Sequence, residues 1–250
     1  MFSKYHIKGS WPKAEKFVFA SCDNTYFDQF ADRFQKSFKK HFDLPVHLHL
    51  INPQTEQMML CSKWGVTYTF NHIDNGQYQQ RVDAVKNHQL IKSDEVAKRS
   101  VYWGFCQAIR FWMLGQYQTD RQNVVVADID CVAVRKPSDL QWQQLFAKTQ
   151  FSKYYDRIMA TFCVFTGANL QQTKQFSDWI ADYDKQTGIR NGVDQFAMYK
   201  VFTEPNRLPN GWISHEDTKN VKSIKRKIDA NIVFHSKGTT AKSIDLSKYL

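Results

Sequence analysis

The run Val124-Val125-Val126-Ala127-Asp128-Ile129-Asp130 decides how the rest of the chain is read. Its β-branched opening is too short for a helix and reads as a buried strand. The strand ends on two carboxylates one residue apart. Residues i and i+2 of a strand face the same way, so Asp128 and Asp130 are expected to project together. Two neighbouring like charges are costly unless a cation or hydrogen-bond donors lie between them. A divalent metal that takes oxygen ligands answers that cost; a polar surface turn is the plainer reading of an isolated Asp-x-Asp.

Composition bounds the setting. With 250 residues, 42% hydrophobic and 15% aromatic, the chain is globular and can bury a substantial core. No apolar run approaches the roughly 18 residues of a membrane span, and the opening Met1-Phe2-Ser3-Lys4-Tyr5-His6 lacks the apolar stretch of a signal peptide. Five cysteines without paired spacing fit reduced thiols in a cytoplasmic protein, with Cys22, Cys106, Cys131 and Cys163 as core fillers. The formal charge of +10 suggests a polyanionic partner or an acidic membrane surface without choosing between them.

Outward from the Val124 strand, apolar segments alternate in period. Phe17-Val18-Phe19-Ala20 reads as a first strand that runs into the polar turn Ser21-Cys22-Asp23-Asn24. Thr25 and Asp28 have the spacing of a capping box. Phe27, Phe30, Phe34 and Phe38 then recur at helical spacing, with Lys36, Lys39 and Lys40 at the end and Pro45 closing the segment. Val46 to Ile51 is a second strand with His47 and His49 on one face. A polar face suits them better than zinc, since no third ligand stands nearby. Val66 to Phe70 is a third strand. Residues 71–98 show no apolar period and read as a lid or a solvated insertion.

Arg99 to Gln116 reads as a core-facing helix with Arg110 inside its apolar run, where a guanidinium needs an acidic partner or a phosphate. Pro137 and Asp139 introduce a short helix through Phe146. Ile158 to Phe165 is a further strand ended by Gly167, and Asn169 with Gln172 offers a cap for the helix carrying Phe176, Trp179, Ile180 and Tyr183. Asp194-Gln195 opens a helix through Phe202, Leu208 to Trp212 is a turn, and Ile232 to His235 is a last strand entering the loop Ser236-Lys237-Gly238. Strands alternating with helices predict one α/β domain with a mostly parallel central sheet and flanking helices. In such sheets ligands bind beyond the carboxyl ends of the strands, where Ser21 to Asn24, Asp128, Asp130, Gly167 and His235 are expected to meet.

A strand entering a polar turn, an apolar strand ending in Asp-x-Asp and a late strand ending in His form a specific set. Their order resembles the GT-A (Rossmann-like) fold of nucleotide-sugar glycosyltransferases, family 8 most closely. The resemblance spans about residues 15 to 242 and rests on Phe17 to Asn24, Arg110, Asp128-Ile129-Asp130, Asp194-Gln195, and His235-Ser236-Lys237-Gly238 with Lys242. It implies a nucleotide-binding half at about 15–136 and an acceptor-binding, closing half at about 137–250. Ala20, Ser21, Cys22, Asp23 and Asn24 would hold the uracil and ribose of a UDP-sugar. Asp128 would reach the ribose, the donor sugar or the metal, and Asp130 and His235 would ligate Mn2+ or Mg2+. Gly238 would admit the diphosphate, which Lys237 or Lys242 would neutralise, and Arg110 would orient the aspartates or touch the donor. Gln195 would support a retaining reaction beneath the anomeric carbon; Asp194 would be the base of an inverting one, or merely a helix cap. Two departures stand out: Phe165-Thr166-Gly167 replaces Asn-x-Gly, and the closing motif is His-x-x-Gly-x-x-x-Lys, one residue longer than usual.

For the acceptor, the chain stops at Leu250, so the basic, aromatic tail of bacterial lipopolysaccharide and capsule enzymes is not expected. Lys219, Lys222, Lys225, Arg226 and Lys227 form a charge run that is either a solvated face or a site for a polyanion. A hydroxylated base in phage DNA is the favoured acceptor, ahead of a phosphorylated glycan, with Tyr154, Tyr155 and Trp212 as pocket walls or else core. A basic nucleic-acid-binding module without catalysis is the competing class. Nucleotidyl transfer fits less well, because no Gly-rich phosphate signature lies near the first strand.

Overall fold

Alternation along two adjacent strands builds the molecule. Phe17 and Phe19 of one, and Val124 and Val126 of the other, enter one hydrophobic core, while Val18, Ala20, Val125 and Ala127 enter a second on the opposite face. Strands buried on both faces read as continuous apolar runs and belong in the middle of a parallel sheet. The computed structural model describes residues 6–89, 93–154, 157–202, 204–216, 228–236 and 246–250. Within them the strands are β1 (Lys8–Gly9), β2 (Lys16–Asp23), β3 (Val46–Ile51), β4 (Thr67–Asn71), β5 (Asn123–Ala127), β6 (Cys131–Ala133), β7 (Gln150–Tyr154), β8 (Arg157–Phe165), β9 (Ile213–Glu216) and β10 (Val233–Ser236). The helices are α1 (Asn24–Tyr26), α2 (Asp32–Phe42), α3 (Thr55–Lys63), α4 (Asn75–Gln89), α5 (Asp94–Tyr117), α6 (Asp139–Phe146), α7 (Leu170–Thr187) and α8 (Val193–Val201).

The main sheet has the order β1-β4-β3-β2-β5-β8-β7. Its four central strands, β4, β3, β2 and β5, run parallel, whereas β1, β8 and β7 join by antiparallel pairing. The α/β expectation therefore holds at the sheet's centre and gives way to antiparallel edges. The strand with His235 is not part of this sheet: β10 lies between β6 and β9 in a separate three-stranded sheet. Helices α5, α7 and α8 cover one face; α2 covers the other, with Phe34, Phe38 and Phe42 buried. Each such phenylalanine contributes roughly 1.5–3 kcal/mol on burial. None of the described helices is long and apolar enough to cross a membrane.

Several local expectations are corrected. β2 continues through Asp23, so Ser21 to Asp23 are strand residues rather than a turn. Asp23, not Thr25, caps α1: its Oδ1 accepts from the Tyr26 amide at 2.8 Å, while Asp28 Oδ1 accepts from Gln57 Nε2. A π-helical turn (Phe27–Ala31) leads into α2, which ends where Asp43 turns left-handed at φ 55°, ahead of Pro45. The described residues of 71–98 are not an open insertion: they hold α4 and the first turn of α5, and among them α4 buries Val82 and Val85, a stripe too narrow to set a visible period. Asn169 makes no side-chain cap; its Oδ1 accepts from Thr149 N and the Thr166 hydroxyl. His47 and His49 are fully buried and tied across to β4, through Thr67 and Thr69 for His47 and Thr69 and Asn71 for His49. Trp212 is core, stacked on Phe162.

Candidate active site

β5 stops at Ala127, so Asp128 and Asp130 sit in a turn rather than on a strand face. The Asp128 amide donates to Thr161 O on β8, and the Asp128 carbonyl accepts from Cys131 N at the start of β6. This tight turn aims both carboxylates at the end of β10. There His235 Nε2 lies 3.4 Å from Asp130 Oδ1 and 3.7 Å from Asp128 Oδ2. One ligand atom from each residue can be chosen so that all lie within 4.8 Å of one another. His235 pairs with Cys131 on β6 and with His215 on β9. The His215 ring stands nearly edge-on to it at 5.6 Å, and the Tyr154 ring follows at 5.2 Å from His215.

Arg110, buried in α5, answers the charge from below. Its Nη1 contacts Asp128 at 2.5 Å and its Nη2 lies 4.0 Å from Asp194. The same two nitrogens donate to the carbonyls of Ala127 and Ala160. Burial pushes both carboxyls up, but the outcomes differ. For Asp128 the Arg110 guanidinium and His235 outweigh burial and hold it below the usual carboxylate range. For Asp194 burial prevails over the more distant Arg110 and the carboxyl stays raised. Two carboxylate oxygens and an imidazole nitrogen suit Mn2+ or Mg2+, so the residues present fit the cation that the resemblance implies.

Above this floor opens a cavity of about 290 Å³. Arg110, Asp128, Ile129 and Asp130 form its base, and Ser21, Cys22, Asp23 and Tyr26 line the strand side. Tyr102, Trp103, Cys106 and Gln107 of α5, with Asn191, close the other side. Side-chain bonds lock the two walls together: the Ser21 hydroxyl donates to Cys106 O at 3.0 Å, and the Tyr102 hydroxyl donates to Asp23 Oδ2 at 3.0 Å.

The structure thus unites Ser21, Cys22, Asp23, Asp128, Asp130 and Arg110 at one cavity, with His235 beside Asp128 and Asp130. Ala20 is wholly buried in the sheet, and Asn24, Asp194 and Gln195 do not line the cavity. Asp194 is 2% exposed and its Oδ1 accepts from Gln195 N. Lys237, Gly238, Lys242, Tyr155 and the lysine run 219–227 lie outside the described residues. Cys106, read as a core filler, lines the cavity instead. Sequence reading missed Tyr26, Tyr102, Trp103, Gln107 and Asn191. The one available signal was the four-residue spacing of Tyr102 and Cys106 ahead of Arg110, which puts all three on one face of α5.

The galactosyltransferase LgtC, in complex with donor and acceptor sugar analogues, superposes over 90% of this chain and 88% of its own length, at a TM-score of 0.52 and 13% identity. The GlyE glycosyltransferase of Streptococcus pneumoniae TIGR4 matches at a TM-score of 0.58 and 11% identity over 90% of this chain. The bifunctional glycosyltransferase WbbM matches at 0.57 and 13% over 92%. The chain has the GT-A fold. It spans 47% of the WbbM chain and 55% of the GlyE chain, so it corresponds to about half of each. No protein-family model and no curated protein sequence matches it. Within this GT-A fold the aspartate turn follows central strand β5, beyond its carboxyl end, where open α/β sheets bind ligands.

Proposed function

We propose that the chain is a metal-dependent glycosyltransferase that moves a sugar from a UDP-sugar to an acceptor hydroxyl. The observation that carries this reading is the convergence of Asp128, Asp130 and His235 at the edge of a cavity in a GT-A fold. Asp130 and His235, with Asp128, would hold Mn2+ or Mg2+, which supplies Lewis-acid stabilisation of the charge gathering on the departing diphosphate. Arg110 holds Asp128 ionised and aimed at that position. Ser21 to Asp23, with Tyr26 and Tyr102, would take the nucleoside. Lys237 and Lys242, with Gly238, would meet the diphosphate. The burial of Asp194 and its contact with Arg110 favour a bracing role over that of a base, which leans the reading toward retention with Gln195 near the anomeric carbon.

The +10 charge supports a polyanionic acceptor. With Trp212 in the core, the aromatic walls proposed for a flipped DNA base are reduced, and a phosphorylated glycan becomes the preferred acceptor over a hydroxylated base. The test is thermal stabilisation by UDP with and without Mn2+. Ligand at about 100 times its Kd adds about 2.7 kcal/mol of stability. The reading expects stabilisation that needs both components and is lost in Asp130→Ala. Equal stabilisation without Mn2+, or salt-sensitive DNA binding indifferent to both, would overturn it in favour of the binding module.

A further inference from the structure

The α5 wall of the cavity is two stripes. Tyr102, Cys106 and Arg110 recur every four residues and are committed inward: to Asp23, to the Ser21 hydroxyl through the Cys106 carbonyl, and to Asp128. Arg99, Trp103 and Gln107 form the adjacent stripe with the same spacing. Arg99 lies over the Trp103 indole at 4.2 Å. Gln107 Oε1 accepts from Gly192 N at 3.0 Å, which draws Asn191 to the cavity. Nothing in the donor or metal assignment uses this outer stripe.

Its chemistry is specific. Trp103 lines the cavity and is 41% exposed, so it presents aromatic surface there on which a ring can stack. Among the described residues, the Trp103 indole N–H, the Gln107 amide nitrogen and the Asn191 carboxamide make no hydrogen bond. One aromatic face beside two neutral amides is suited to a ring with an apolar face and a hydroxylated rim, which describes a pyranose. The outer stripe offers little to a phosphate, because its cation, Arg99, lies over the indole and does not line the cavity, while Arg110 of the inner stripe is committed to Asp128.

We infer that Trp103, Gln107 and Asn191 form the acceptor subsite and that the acceptor presents a neutral sugar ring there, any phosphates lying elsewhere along the chain. This rests on the glycosyl-transfer reading and is tested so that the two fail separately. The Trp103 indole N–H resonance, assigned by its loss in Trp103→Phe, is followed in the full chain with UDP and Mn2+. Probes are the methyl glycosides of galactose, glucose, mannose and N-acetylglucosamine, and a single-stranded oligonucleotide carrying 5-hydroxymethylcytosine. At least one glycoside is expected to shift the indole signal. By whole-protein calorimetry it binds about tenfold more weakly to Trp103→Ala and Asn191→Ala, with partial recovery in Trp103→Phe. Mn2+-dependent UDP binding, measured in parallel, reports on the transferase reading alone. No shift with any glycoside, a shift with the oligonucleotide only, or unchanged glycoside affinity in Trp103→Ala would overturn the acceptor subsite.

Discussion

Arg110 holds the charge balance of the site. It is 3% exposed and faces Asp128 and Asp194, whose carboxyls it affects unequally because one is 2.5 Å away and the other 4.0 Å. Removing one member of a buried ionic group leaves the others desolvated and unpaired, a loss of about 3–5 kcal/mol. Arg110→Met is therefore expected to lower the urea-denaturation free energy by about that much. Arg110→Lys should recover only part of it, because an ammonium cannot spread over two carboxylates and two carbonyls as the guanidinium does. An unchanged midpoint in Arg110→Met would show that the two carboxyls do not depend on it.

Between elements, the β3–β4 seam is sensitive to acid. Burial lowers His47 to about 3 and His49 to about 4, both below the unfolded value near 6.5. Between those limits the unfolded chain binds protons that the native one refuses. This contribution is complete above pH 6.5 and declines as pH falls. The pair is expected to lose on the order of 3 kcal/mol from pH 6.5 to 5, read from urea midpoints, with the slope halved in His49→Gln. A flat profile over that window would contradict the buried, neutral pair. On the other face of the site, Gly104 lets the 188–192 loop dock on α5. A Cβ there would stand 2.3 Å from the Arg190 carbonyl carbon. Gly104→Ala is expected to cost about 1–3 kcal/mol by overpacking and to raise the acceptor KM, because Asn191 moves with the loop. Steady-state kinetics on purified variant would show it, and an unaltered KM would detach the loop from acceptor binding.

At the scale of the whole molecule, the +10 charge acts through the solvent, and salt screens it within about 10 Å at 0.1 M. If the field steers a phosphorylated acceptor, its KM should rise several-fold between about 50 and 200 mM salt, while that of a neutral methyl glycoside stays level. Parallel salt titrations of the two acceptors check this. Equal behaviour would leave the charge a matter of solubility alone.

The sequence by itself determined the central strands, helices α2, α5, α6, α7 and α8, and the Asp128–Asp130 pair at the end of β5, though not the turn that holds it. Each rests on local physics: β-branched runs, helical spacing and two like charges that need a cation or hydrogen-bond donors between them. It could also name His235, but only through the order of motifs shared with a known fold. Tertiary structure decided the rest. That β10 joins β6 rather than the main sheet, that α4 is a helix held by two buried valines, and that Trp212 is core while Trp103 is exposed all depend on contacts between residues far apart in the chain. Sequence spacing shows which side chains share a face, but not what that face meets. The cavity's outer wall, made where α5 meets the 188–192 loop, could therefore be seen only once the chain was folded.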